Sequence, residues 1–261
     1  MSCKDTETPI NIVNSKNPCN NNCKLRFDYG TSSCLVKNEG DYLKLEYDGK
    51  NTITYNNVQL RIQDIRIYQP SIHLFNGNNV DVELFIHHIG NNGENIMVCI
   101  PIVQREQKSK SDQFFSKFLP FVSSEEGEST NINVSNWTLN NIVPKAPYNI
   151  YEGDLVYSPC SPNYLYVVFD VDYASTISNK NLQILKSVIQ AVPSTYDKIN
   201  NDVELFYNSV GSRENFQTIT ETDQIYIDCQ PVEDNEKDEE NEKQFNIQDI
   251  GTNLMSNLGI S

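Results

Sequence analysis

Histidine is scarce in this chain. There are 3 in 261 residues, and two of them, His87 and His88, are adjacent. That leaves little for general acid–base catalysis or for a histidine-rich metal centre. An excess of positive charge is also missing. Asp and Glu number 35 against 20 Lys and Arg, for a net charge of -15, which disfavours an electrostatic grip on nucleic-acid phosphates. No apolar run approaches the roughly 18 residues that a membrane-spanning helix needs. The opening Met1-Ser2-Cys3-Lys4-Asp5 has no apolar signal-peptide core, so secretory export is not expected. A Gly-rich phosphate loop, a G-x-S-x-G elbow and an H-E-x-x-H helix are all absent. Ala and Gly are few while Asn, Ile, Lys and Tyr abound, a usage that suggests an AT-rich source genome.

What is present describes a globular chain. At 29.8 kDa with mean hydropathy -0.51, it can hold one large core, and all-β proteins of this size are often single domains. Tyr42 to Tyr47, Val58 to Tyr68, Val80 to His88, Ile96 to Val103, Leu165 to Val171 and Ile225 to Cys229 carry β-branched and aromatic residues in partial alternation, the pattern of strands. Asn76-Gly77-Asn78 and Asn91-Asn92-Gly93 read as turns. Helices are expected over Asp112 to Val122 and, behind the candidate N-cap Ser178, over Asn179 to Gln190. Acid concentrates between Glu233 and Lys243; such a run repels itself and stays solvated. The expected organisation is a body over 1–230, then an acidic linker and short docking segment over 231–261. Phe245, Ile247, Ile250, Leu254, Met255 and Leu258 are the candidate docking anchors, set at mixed three- and four-residue spacings.

The stretch from Gln63 to Gly90 carries the most information. Ile65-Arg66-Ile67-Tyr68 is followed by Ser71-Ile72-His73-Leu74-Phe75-Asn76-Gly77 and then by Glu83-Leu84-Phe85-Ile86-His87-His88. In order and spacing it resembles the Q-x-H-x-H-W-G and E-x-H-x-x-H strands of the α-carbonic anhydrases. Pro9-Ile10-Asn11-Ile12, Asn38-Glu39-Gly40-Asp41, Ile142-Val143-Pro144 and the run from Tyr148 to Ser161 resemble further segments of that family. The resemblance implies a mainly β fold with a few short helices around a large, twisted, mostly antiparallel sheet. It puts Arg66, Tyr68 and Phe85 where the family has its three zinc-binding His. A guanidinium, a phenol and a phenyl ring cannot make a His₃ zinc site. Asp41 and Val156 fall on the proton-shuttle and hydroxide-orienting positions. No cofactor, no metal and no CO₂ hydration are therefore expected.

Other residues keep their family identity. The resemblance makes His73 and Glu83 part of the hydrogen-bonded support beneath the metal shell, with His88 also retained as a structural group. His73 and Glu83 are expected to be buried polar groups satisfying one another. Asp41, His87, Val156 and Tyr157 form a vestigial pocket. Arg66, Tyr68, His87 and Tyr157 either plug it or leave a small anion site on Arg66 and His87. Among the 7 cysteines, Cys19 and Cys23 are spaced C-x₃-C, which could bind zinc with Cys34 and one more ligand. By analogy with secreted relatives, the resemblance pairs Cys3 with Cys160. Asn133-Val-Ser135 and Asn136-Trp-Thr138 match glycosylation acceptors.

The function expected is that of a non-catalytic binding or structural protein. Its partners would be other proteins of an assembly, capsid proteins of a large DNA virus among them, with a virion location. The alternatives are a cell-surface attachment protein of the poxvirus type, a cytoplasmic carbonic-anhydrase-related interaction protein and, last, an enzyme of different chemistry. The acidity of the chain disfavours sulfated glycan as a ligand.

Overall fold

A computed structural model describes residues 9–13, 17–19, 22–50, 53–106, 108–192 and 203–214. These belong to one compact unit, Met1–Thr218. Cys3, the acidic linker and the six docking anchors lie outside the described residues, as does the strand expected from Ile225.

The first seven strands are β1 (Asn11–Ile12), β2 (Asn17–Pro18), β3 (Leu25–Phe27), β4 (Ser32–Asn38), β5 (Tyr42–Glu46), β6 (Ile53–Tyr55) and β7 (Val58–Tyr68). Next come β8 (Leu74–Phe75), β9 (Val82–Gly90) and β10 (Asn95–Gln104), then helix α1 (Lys110–Ser116) and β11 (Ser129–Trp137). The rest are β12 (Tyr148–Gly153), β13 (Tyr164–Phe169), β14 (Ser175–Ile177), helix α2 (Asn179–Val188), β15 (Phe206–Asn208) and β16 (Arg213–Glu214). Short 3₁₀ turns lie at Leu119–Phe121, Leu139–Asn141 and Val171–Tyr173.

Most of these strands join one sheet, with spatial order β11-β4-β5-β7-β9-β10-β13-β12-β15-β2. Its centre is antiparallel, while β10 runs parallel to both β13 and β14. The strand β9 reads VELFIHHIG and is buried along nearly its whole length. That is the near-continuous pattern of a strand covered on both faces. One face packs a large core that includes Ile65, Leu84, Ile86, Val98 and Trp137. The other carries Tyr68, Phe85, Met97, Cys99, Tyr151 and Tyr166.

Local chemistry explains the helices. Ser109 Oγ accepts the Asp112 N–H at 2.9 Å and starts α1. The helix expected to run to Val122 stops at Ser116, and a 3₁₀ turn with Pro120 at its start follows. Proline has no N–H to continue the α ladder. Ser178 caps α2 as expected, with Leu182 and Leu185 buried. Similarly, β13 ends at Phe169, where Asp170 caps a 3₁₀ turn by accepting the Asp172 N–H. Among the described residues no helix is long and apolar enough to cross a membrane.

Candidate functional site

The strands β7, β9 and β10 bring the singled-out residues to one face. Their register sets Arg66 opposite Phe85 and Tyr68 opposite Glu83. It also sets Phe85 opposite Cys99 and Asp64 opposite His87. Because side chains alternate along a strand, Asp64, Arg66 and Tyr68 project together, as do Glu83, Phe85 and His87. A register shift between Ile62 and Asp64 leaves Gln63 out of the ladder. This is a β-bulge, which re-aims the side chains that follow it.

Two layers are built on this face. In the first, Arg66 lies over the Tyr157 ring, with its guanidinium carbon 3.3 Å from the ring centroid. The same carbon is 4.8 Å from the Tyr42 centroid. Arg66 Nε and Nη2 donate to Asp64 Oδ2 at 3.3 and 3.1 Å. Both partners of this ion pair are about seven-eighths buried, at 13% side-chain exposure each. Burial works against the guanidinium charge, but Tyr68, Tyr157 and Asp64 outweigh it and hold Arg66 above its ordinary pKa. Tyr68 packs edge-on against Phe85 at 5.4 Å. Burial keeps the Tyr68 and Tyr157 phenols protonated, far above their usual range. His87 Nε2 donates to Asn95 Oδ1 at 3.1 Å, its ring 5.3 Å from that of Tyr164, and burial lowers its pKa.

The second layer is a fully buried hydrogen-bonded chain. His73 Nδ1 lies 2.7 Å from Glu83 Oε1, and His73 Nε2 lies 2.6 Å from the Tyr151 hydroxyl. Glu83 Oε2 accepts the backbone N–H groups of Ile72 and His73. Burial holds the Tyr151 phenol well above its ordinary pKa. With the phenol protonated, the geometry accommodates a Tyr151 O–H donating to Nε2 and an Nδ1–H donating to the carboxylate. Tyr151 stacks on Tyr166 with centroids 4.6 Å apart.

These are the residues to test against a metal. His73, Glu83 and Cys99 offer ligand atoms within 4.8 Å of one another. Both His73 ring nitrogens and both Glu83 oxygens already have partners, however, and burial pushes the Cys99 thiol well above its usual pKa. At the positions the resemblance gives to the zinc ligands, Arg66 and Phe85 have no lone pair to donate and Tyr68 keeps its proton. This donor set does not fit a zinc ion.

The remaining residues fall elsewhere. His88 projects to the opposite face, where its Nε2 is 3.0 Å from the Tyr29 hydroxyl, so it does not join His73 and Glu83. The reason is the strand's period of two. Burial, then the neighbouring His87, drive its pKa down to about 3. Asp41 is exposed at the turn that Gly40 makes with φ +89°. Its neighbour Tyr42, opposite Tyr68 in register, turns inward instead. Val156 packs half-buried against the cluster. Asp64, Tyr42 and Tyr164 are cluster members that the sequence reading missed. The D-x-R spacing of Asp64 and Arg66 was the available signal, because it places opposite charges side by side on one strand face.

The cysteines correct one expectation. Cys19 and Cys23 form a disulfide, and Cys34 is buried as a free thiol, so these three do not assemble a zinc site. Cys160 is disulfide-bonded, and the Cys3 half of the expected pairing lies outside the described residues.

Comparison with known proteins agrees with the fold. Residues 2–205 match the eukaryotic-type carbonic anhydrase family. Alpha carbonic anhydrase 7 of Arabidopsis thaliana is 26% identical over 190 residues, which are 71% of this chain and 66% of that protein. Dioscorin dioA3 of Dioscorea japonica is 22% identical over 169 residues, 64% of this chain and 60% of that protein. The chain thus spans less than two thirds of the length of these relatives. Among solved structures, the Photobacterium profundum alpha-carbonic anhydrase superposes with a TM-score of 0.66 at 20% identity, over 77% of this chain and 88% of that one. With a family match over more than three quarters of its length and this shared fold, the chain belongs to the eukaryotic-type carbonic anhydrase family.

Proposed function

We propose that this protein is a carbonic-anhydrase-fold scaffold that does not hydrate CO₂ and works by binding other proteins of an assembly. The observation that supports it is the position of Arg66. A permanent cation, stacked on Tyr157 and paired with Asp64, stands where the family resemblance puts the first zinc ligand. It gives no lone pair to a metal and repels a dication. Active members of the family use zinc to bring the pKa of bound water to about 7; Arg66, Tyr68 and Phe85 cannot hold that ion. The net charge of -15 favours protein partners over nucleic acid. A virion or capsid-associated setting in a large DNA virus is part of the proposal, supported by the Asn-, Ile- and Lys-rich usage of an AT-rich genome.

Stopped-flow CO₂ hydration by the full chain, with zinc supplied, tests the first half. The expected rate is the uncatalysed one, and hydration that a chelator abolishes overturns the proposal. The second half is tested by quantifying the chain in purified particles or complexes. A fixed copy number is expected, and a copy number that varies between preparations contradicts an assembly role.

A further inference from the structure

Outside this cluster, positive charge gathers at one small cavity of an otherwise acidic chain. The cavity holds about 210 Å³ and is lined by Lys24, Arg26 and Arg213 together with Leu25, Asn208 and Gly211. Lys24 lies just before β3 and Arg26 within it, two residues apart, and both are exposed. Arg213 on β16 pairs with Arg26 in parallel register. Like charges directly opposite in a sheet are destabilising. Other cations that meet in register have an acid at hand. Lys37 faces Lys44 but bridges to Glu39, and Arg66 faces Lys44 but bridges to Asp64. None of Lys24, Arg26 and Arg213 makes an ion pair among the described residues. Asp28, the next acid on that face of the chain, has its Oδ1 engaged by Asn140.

The floor of the cavity is fixed before any ligand arrives. Asn208 is buried; its Nδ2 donates to the Cys23 carbonyl at 2.6 Å and to the Tyr148 hydroxyl at 3.1 Å, and its Oδ1 accepts the Gly211 N–H at 2.9 Å. Gly211 adopts φ +81°, and a Cβ there would meet the Ala146 carbonyl carbon at 2.7 Å, so only glycine fits this turn. Three cations lining one cavity over a fixed floor, two of them in register with each other and without an ion pair among the described residues, suit a ligand carrying concentrated negative charge. Guanidinium forks match the oxygens of phosphate and sulfate in geometry as well as charge. The volume is below the roughly 300 Å³ at which sites for drug-sized molecules begin, so it matches an ion or an ionic end group.

We infer that Lys24, Arg26 and Arg213 form a binding site for a tetrahedral oxyanion, a phosphate or sulfate group that is either free or the end group of a larger ligand. The test is thermal unfolding and titration calorimetry of the full chain with inorganic phosphate, sulfate, O-phosphoserine and chloride at matched ionic strength. Phosphate and sulfate are expected to raise Tm more than chloride does. Arg26→Gln and Arg213→Gln should each weaken binding about ten-fold, the loss of about 1.4 kcal/mol expected for a charge-assisted contact. Lys24→Gln should weaken it less, and the distant Lys180→Gln not at all. Phosphoserine binding at least as tightly as phosphate supports an end group on a larger ligand; preference for phosphate supports the free ion. An oxyanion response no larger than that of chloride, or binding unchanged in both arginine variants, overturns the site.

Discussion

The two layers on the β7–β9 face have been treated very differently. In the lower one, His73, Glu83 and Tyr151 satisfy one another by hydrogen bonds. In the upper one, Arg66 lies against Tyr42 and Tyr157, and Tyr68 packs on Phe85. The lower layer is locked because each member is the hydrogen-bonding partner of another in a fully buried interior. Changing one strands the rest, at a cost of about 1–3 kcal/mol per unsatisfied group and more for a charge. Arg66 with Asp64 fills space and neutralises its own charge.

The contrast can be broken at its stronger end first. Glu83→Ala strands two backbone N–H groups and His73 Nδ1–H, and should destabilise the fold by about 3–5 kcal/mol in urea unfolding. A loss below about 1 kcal/mol would mean that the network is not locked. Arg66→Met should cost less, about 2–3 kcal/mol, by leaving Asp64 buried without its partner. Adding Asp64→Asn should recover most of that loss; additive losses in the double variant would show that the two are not coupled.

His88 provides a third, pH-dependent comparison. It is neutral in the fold down to about pH 3 but takes up a proton near pH 6.5 when unfolded. The unfolded chain binds the extra proton in that window. Stability is thus full above about pH 6.5 and falls toward pH 3 by up to about 1.4 kcal/mol per pH unit from this group. The His88→Gln variant should show a shallower slope of unfolding free energy across the window, and an unchanged slope would remove His88 as its source. The smallest expected effect is at Tyr157. Its hydroxyl is buried without a partner among the described residues, so Tyr157→Phe keeps the stack on Arg66 and should change stability by no more than about 0.5 kcal/mol. A larger loss would reveal a hydrogen bond to that hydroxyl.

Much of the fold could be read from the chain because strand periodicity is local. Val58 to Tyr68 was expected and found as β7, and the Ser178 cap and buried Leu182 and Leu185 of α2 follow from their own neighbours. What needed three dimensions was less accessible. Pro120 in the expected first helix was a local signal, but where the chain would turn depended on how Phe118 packs with Phe114 and Trp137. The upper layer was half legible. Arg66, Tyr68, Phe85 and Tyr157 stood out by comparison with a family pattern, whereas Asp64 and Tyr42 are joined to them by a bulge and by cross-strand register. A sequence period shows which side chains share a face; it does not show which strands will lie side by side. The Cys19–Cys23 bridge illustrates the same limit, since C-x₃-C spacing suits either a disulfide or a metal.

Equilibrium dialysis of the full chain against excess zinc near neutral pH, followed by metal analysis, tests most directly whether Arg66 has replaced the metal. Well below one zinc per chain should remain. One zinc per chain that resists dialysis and is lost on changing Tyr68 to Phe would contradict the replacement.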